Sequence, residues 1–481
     1  MRWLVRTLAA CAVVPFLACS DSEPAPAPPP EPVDIAPFAE GDWHAGVALR
    51  RVGTAYQEKV QRLVALPSGG VAVVRFSKAA RNQLDATSIV ETFDSAGARL
   101  ASLAVPEKTA VVDLTVHPSG ELTLVEARMG EKWGYGQVWL RRLAPDLRVL
   151  AEAPLRDRPS EHERLLYRFA RQPNGGLEVI DKVETMTVPE DGIVPTWYGA
   201  WHNGHFLLAP QGEDIVLSAW SYGTKVYALG ADLGVRWSRQ VMPEHSWMTT
   251  GSPSEGLVVD RAGGVTVAVP IDAETVQAYD RHFGRAPVVW SGSKFQTLVT
   301  RIAPDGREST ARIFGHTENG HWSAAGIGVH GDDVILCGSL RMGDKFKEPN
   351  HTMEWDLGWF RGNMTDGTVE AHVIDLQRDD LANACKVDAD GNIVFAGVND
   401  FVQVDTNSWV QFGQAFLYAI DSGGNEISRH ILRGPRHTGI EAFDGNVQGK
   451  VYFGGSYDGP ITHTPDTEWA YKAMLGVVSI R

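Results

Sequence analysis

The sequence predicts an all-β chain, folded over residues 41–481 as one propeller of four-stranded antiparallel blades, counted as eight with seven as the alternative. Three observations predict it. The first is a hairpin that recurs along the chain, most plainly at Leu381–Val398, where two apolar alternating runs flank Asp390-Gly391-Asn392. Such a turn needs φ > 0, which Gly and Asn tolerate best. The same pattern returns at Leu63–Val74, Leu114–Val125, Val258–Ala268 and Ile327–Cys337, and more weakly around Gly175, Gly212 and Gly449. The second is another hairpin between these, turning on Asp-x-Gly or a close variant, as at Ile89–Leu103, Val138–Leu150, Val226–Ser238, Leu298–Ser309 and Phe416–Ser428. Two hairpins in succession make a four-stranded meander, and a repeated meander is a blade. The third is period: the turn glycines from Gly69 to Gly449 average about 54 residues apart, and no long stretch has helical periodicity.

The chain opens with a basic region, Met1–Arg6, then an apolar core, Thr7–Ala18, that is too short to span a bilayer comfortably. This pattern predicts a secretion signal. Its end, Phe16-Leu17-Ala18-Cys19, resembles the lipobox of bacterial lipoproteins, with Phe16 where that motif usually has Leu. The resemblance implies cleavage before Cys19 and lipidation of its thiol; the plainer alternative is ordinary signal cleavage. Ser20–Pro32 is acidic and proline-rich, and residues 19–40 are expected to form an extended tether that holds the folded part off a membrane.

Of the repeated units, the third, between Leu165 and Asn203, is the weakest, because its second hairpin must be squeezed around Glu190–Gly192. Counted as an insertion, it lowers the total to seven. The last unit ends after its third strand, Ala473–Arg481, and Trp43–Arg50 is expected to supply the missing outer strand. Closing one blade with both termini removes an open edge that would invite aggregation.

Val387–Gly397, Gly449–Ser456 and Ala415–Asn425 resemble the bacterial seven-bladed β-propeller repeat family of secreted proteins and lipoproteins, most closely over residues 320–481. The resemblance implies a propeller, an exported location on the periplasmic side or the cell surface, and no defined enzymatic activity. It brings no catalytic residues.

The formal charge of −15 sets nucleic acid and anionic lipid aside as partners, leaving the lipid anchor as the expected membrane contact. Asp388–Asn392 has the opening rhythm of a calcium loop but lacks Glu at the twelfth position, where Asn399 stands, so a turn explains it. His202, His205, His316 and His321 lack a cysteine or acidic third ligand at suitable spacing; no metal and no cofactor is expected. Trp237-Ser238 resembles one strand of a quinone-cofactor propeller, but the other blades lack that tryptophan. No nucleophile elbow, phosphate-binding loop or zinc-protease motif occurs.

Cys337 and Cys385 fall in the second strand of one unit and the first strand of the next, so they either bridge adjacent blades or sit as two small buried thiols. For function, the loops matter. Turns within hairpins are kept to a few residues, whereas the links from second to third strand grow long at Ile271–Phe295, Arg341–Trp355, Asn399–Gln411 and Tyr457–Trp469. Long loops on a rigid scaffold carry binding. These hold Tyr279, His282, Trp290, His351, Trp355, Asp356, Asp400, Trp409, Asp458, His463 and Trp469, a mix suited to stacking on a sugar or anchoring a peptide. Each tryptophan has the alternative of packing between blades. The expected function is a non-catalytic binding or scaffold module for a glycan or protein; the alternative is a polysaccharide hydrolase or lyase with carboxylates from several blades.

Overall fold

The computed structural model describes residues 47–52, 57–78, 87–106, 109–129, 136–155, 164–171, 177–186, 206–220, 224–242, 256–271, 296–307, 309–315, 321–341, 355–376, 380–405, 408–432, 438–445, 449–458 and 471–480. After β1 (Val47–Val52), blade 1 is β2 (Gln57–Ala65), β3 (Val71–Lys78), β4 (Thr87–Phe93) and β5 (Arg99–Ala104). Blade 2 is β6 (Thr109–Val116), β7 (Leu122–Met129), β8 (Gly136–Leu143) and β9 (Val149–Pro154). A separate two-stranded hairpin follows, β10 (Arg164–Arg171) and β11 (Leu177–Met186). Blade 3 is β12 (Phe206–Gln211), β13 (Asp214–Trp220), β14 (Thr224–Leu229) and β15 (Val235–Gln240). Blade 4 is β16 (Gly256–Val259), β17 (Val265–Ile271), β18 (Gln296–Ile302) and β19 (Ser309–Gly315). Blade 5 is β20 (His321–His330), β21 (Asp333–Arg341), β22 (Trp355–Asn363) and β23 (Val369–Ile374). Blade 6 is β24 (Asp380–Val387), β25 (Ile393–Asp405), β26 (Ser408–Ile420) and β27 (Glu426–Leu432). Blade 7 is β28 (Thr438–Gly445), β29 (Lys450–Asp458) and β30 (Tyr471–Ser479), completed by β1, which runs antiparallel to β30 from Val47↔Val478 to Val52↔Ala473.

The first strand of every blade touches that of the next, and β28 returns to β2, so the blades form a ring around a central channel. There are seven four-stranded blades, and the count of eight is corrected. The weak third unit is the hairpin β10–β11. Blades 2 and 3 are neighbours across it: Leu208 N donates to Asp113 Oδ2 at 2.6 Å, and Arg142 Nη2 to Glu213 Oε2 at 2.6 Å. The turn glycine Gly175 gave that stretch the look of a unit, but among the described residues it has no second hairpin with which to complete a blade.

Burial explains the two kinds of strand. Second strands are buried on both faces: Val71 and Val73 pack toward Ala473 and Leu475 of blade 7, while Ala72 and Val74 pack toward Val111, Leu122 and Leu124 of blade 2. A strand sandwiched this way reads as an unbroken apolar run. Fourth strands form the rim and bury one face, which leaves Leu100, Val149, Val235 and Val369 exposed.

Candidate functional site

The two ends of the ring differ in chemistry. Antiparallel order puts both hairpin turns of a blade at one end; Gly69 lies against Ser95 and Gly391 against Ser422. The turns at this end are held by their own aspartates. Asp94, Asp260, Asp388 and Asp421 each accept two backbone N–H groups of their own turn through one carboxylate oxygen. In Asp388-Ala-Asp-Gly-Asn392 the second oxygen takes the Asn392 side chain at 2.9 Å, so the calcium-like rhythm serves a turn. Outer strands then clamp the turns of the next blade: Trp237 Nε1 and Arg239 Nη1 donate to the 304–307 turn and Arg312 to Met364 O and Thr365 O, while Arg361 of the third strand β22 donates to Ser422 O. His117 is fully buried there between Thr123 Oγ1 and Gly212 O, and burial pushes its pKa down.

The opposite, linking end carries buried polar rungs. The same register position pairs Glu58 with Ser77 in blade 1, Thr109 with Arg128 in blade 2, Asp380 with Asn399 in blade 6 and Thr438 with Tyr457 in blade 7. In blade 1 Glu58 also takes the Arg75 guanidinium, which spans to Glu91 at 2.8 Å, with Arg99 on the far side of Glu91. In blade 2 Glu126 is held between Arg128 and Arg141, and Arg128 lies 4.1 Å over the Trp139 ring. Such charges survive burial because each is matched by an opposite charge.

Asp380 has the chemistry most unlike an ordinary carboxylate. It is fully buried, and Oδ1 accepts from Asn399 Nδ2 at 2.6 Å while Oδ2 accepts from Leu376 N at 3.2 Å. Burial pushes its pKa up to about 7; the Asn399 and Leu376 hydrogen bonds hold it back, and the charges of Asp356 and Asp375 add to the rise. A disulfide joins Cys337 and Cys385 across blades 5 and 6, with Cα atoms 6.1 Å apart, and Ser339 Oγ accepts from Ala382 N at 2.7 Å.

Of the residues the sequence proposed, Trp355 and Asp356 open β22 at this end, half-buried, with Asp356 close enough to act on Asp380. Asp400 and Trp409 lie in β25 and β26, and Asp458 ends β29. Tyr279, His282, Trp290, His351, His463, Trp469 and Cys19 lie outside the described residues. The expected link Asn399–Gln411 is corrected: β25 and β26 continue through it as a hairpin, with Val402 opposite Phe412 and Asp405 opposite Ser408. Sequence reasoning missed Glu58, Thr109, Asp380 and Thr438. Their signal is a polar residue opening a first strand, two places before its buried apolar residue. Among the described residues no group of three or more His, Cys, Asp or Glu could hold a metal ion.

No family model and no curated protein matches the chain. Among solved structures, the chain is similar to the β-propeller domain of the Trilobed protease from Pyrococcus furiosus, at 10% identity over 89% of this chain and 97% of that one, with a TM-score of 0.42. It is similar to a polysaccharide lyase at 8% identity over 89% and 92% of the two chains, TM-score 0.45. It is also similar to a protein of unknown function from Bacteroides caccae at 8% identity over 78% and 94%, TM-score 0.35. At such scores their activities are not carried over. The fold rests on this chain's own topology, a single seven-bladed propeller whose closing blade joins the first described strand, β1, to the last three, β28–β30.

Proposed function

We propose that this chain is an exported, lipid-anchored binding module that holds a glycan or protein at the linking end of its propeller and catalyses no reaction. The observation that supports it is the asymmetry between the ends. At the turn end Asp94, Asp260, Asp388 and Asp421 hold their own turns and Arg312 holds the neighbouring blade, whereas the described part of the linking end combines buried polar rungs with the half-buried pair Trp355 and Asp356. Sites of this composition bind and orient ligands.

The hydrolase or lyase reading has one observation in its favour, a carboxyl at Asp380 that titrates near neutrality. General acid–base work also needs an oxygen within reach of substrate. Asp380 is fully buried and both its oxygens accept protein hydrogen bonds, which favours binding over catalysis. The anchor comes from the Phe16–Cys19 motif and the tether behind it. Glycan-array and pull-down binding, followed by an assay for turnover of any glycan retained, tests the reading; turnover, or binding unaltered in folded Trp355→Ala and Trp409→Ala, would contradict it. Cys19→Ala is expected to move the protein from membranes to the soluble fraction.

A further inference from the structure

We infer that blade 6 offers a free strand edge at the linking end to an extended, basic segment of a partner protein, which adds a strand to it; this deepens the binding reading above and rests on it. In blade 6 the pairing of β24 with β25 ends at Asp380↔Asn399, and that of β26 with β27 ends at Ala415↔Leu432. Beyond those pairs β25 and β26 continue alone, through Val402↔Phe412, Gln403↔Gln411 and Asp405↔Ser408. From Asp400 to Asp405, at about 3.3 Å per residue, this two-stranded ribbon reaches roughly 20 Å past the start of β24. In no other blade does the described second strand outrun the first so far; β17 of blade 4 comes next, ending at Ile271 while Gly256 pairs with Ala268.

A two-stranded ribbon has two edges, and each turns a row of N–H and C=O groups outward as a template for another strand. Because β24 is the strand beside the channel, the edge of β25 above it overlooks the channel mouth. Among the described residues no other strand pairs with that edge. Edges are commonly guarded by Lys or Pro; Asp400-Phe401-Val402-Gln403-Val404-Asp405 has neither. Its two charges select the occupant. Flush antiparallel pairing with the same hexad of a second copy would set Asp400 against Asp405 at both ends, and like charges directly opposite repel. A strand with lysine or arginine at those two places is attracted there instead. Asp400–Gly413 contains no basic residue, and the chain as a whole carries −15, so edge and overall field favour the same partner. A peptide that adds a strand draws affinity from main-chain hydrogen bonds and specificity from its alternate side chains. Of the two ligand classes of the binding reading, only a protein has a strand to add.

The test is calorimetric titration of the full-chain protein in detergent with two hexapeptides that alternate valine and threonine at their central positions, one closed by a lysine at each end and the other by an aspartate. The lysine peptide is expected to bind about tenfold more tightly than the aspartate peptide, and to lose binding when its backbone nitrogens are methylated. Asp400→Lys combined with Asp405→Lys is expected to reverse the preference; both positions lie beyond the four-stranded part of the blade. Should that variant misfold, Asp400→Asn with Asp405→Asn, which keeps the side-chain shape, is expected to erase the preference. Equal binding of the two peptides, binding that survives methylation, or a preference untouched in the folded variants overturns the inference. A dimer in sedimentation that Val404→Pro dissociates would assign the edge to a second copy and overturn it too. If neither peptide binds while a glycan is retained through Trp355, the inference falls and the linking end stands as a binding site; if no peptide, glycan or protein is retained, the binding reading falls with it.

Discussion

Leu147 and Leu233 each adopt φ of 65° at the turn position that Gly97, Gly306 and Gly424 fill in other blades. The left-handed conformation costs a leucine about 1–2 kcal/mol, while full burial of its side chain returns about 1.5–3 kcal/mol. Both leucines are buried, Leu147 in the core between blades 1 and 2 and Leu233 in that between blades 2 and 3. Leu147→Gly should therefore destabilise by about 1 kcal/mol in urea titration although it relieves the backbone. Gly326 has the opposite constraint. A Cβ there would lie 2.0 Å from Cys385 O, so Gly326→Ala must push blades 5 and 6 apart and should cost about 3 kcal/mol. Asp380 makes stability depend on pH. Its folded pKa is raised, so the protonated form supplies stability that is fully present below the unfolded value of 3.8 and is lost as pH rises through about 7. At about 1.4 kcal/mol per unit the loss is bounded by about 4 kcal/mol. His117 has a lowered pKa and acts in the reverse sense, losing stability as pH falls below 6.5. Urea midpoints of Asp380→Asn should accordingly lose the decline between about pH 4 and pH 7 that Asp380 gives the parent; an unchanged decline would remove Asp380 as its source.

At the scale of the strand, the hairpins were legible because their turn chemistry is local: Asp388, Gly391 and Asn392 specify a turn without help from the rest of the chain. Blade identity was less legible, because one hairpin around Gly175 looks like half a blade until its neighbours are seen to meet across it. The polar rungs were opaque for a related reason. Glu58 and Asp380 look like ordinary strand-opening polar residues, and only their register partners Ser77 and Asn399 reveal a common level. The link at Asn399–Gln411 was mistaken for a loop because its alternation, Val402-Gln403-Val404, continues a strand without a new turn signal before Asp405. Joining of β21 to β24 by Cys337 and Cys385 closes a loop of sequence separation 48. Constraining such a loop in the unfolded chain stabilises by at most about 4 kcal/mol. Replacing both cysteines by alanine should lower stability by about 2–4 kcal/mol, and the parent pair should contribute no titratable thiol in denatured, unreduced protein.

For the molecule as a whole, the ring depends on β1 filling the fourth position of blade 7 beside β30. Removing residues 47–52 would leave β30 as an open edge, and unpaired edges recruit other strands. That truncation is expected to lower the urea midpoint and to produce concentration-dependent aggregation; a truncated protein as stable and monomeric as the parent would contradict closure by this strand. Closure also sets the two ends of the ring apart: the turn end carries Asp-anchored turns and Arg clamps, the linking end carries the buried rungs, and the proposed function puts ligand at the latter. Backbone hydrogen exchange with and without a glycan or protein retained in the binding screen tests this most directly. Protection should gather in Gln57–Gln61, Trp355–Asp356 and Asp380–Asn383 at the linking end; protection confined to Asp94–Ala98, Asp388–Asn392 and Asp421–Asn425 at the turn end would contradict it.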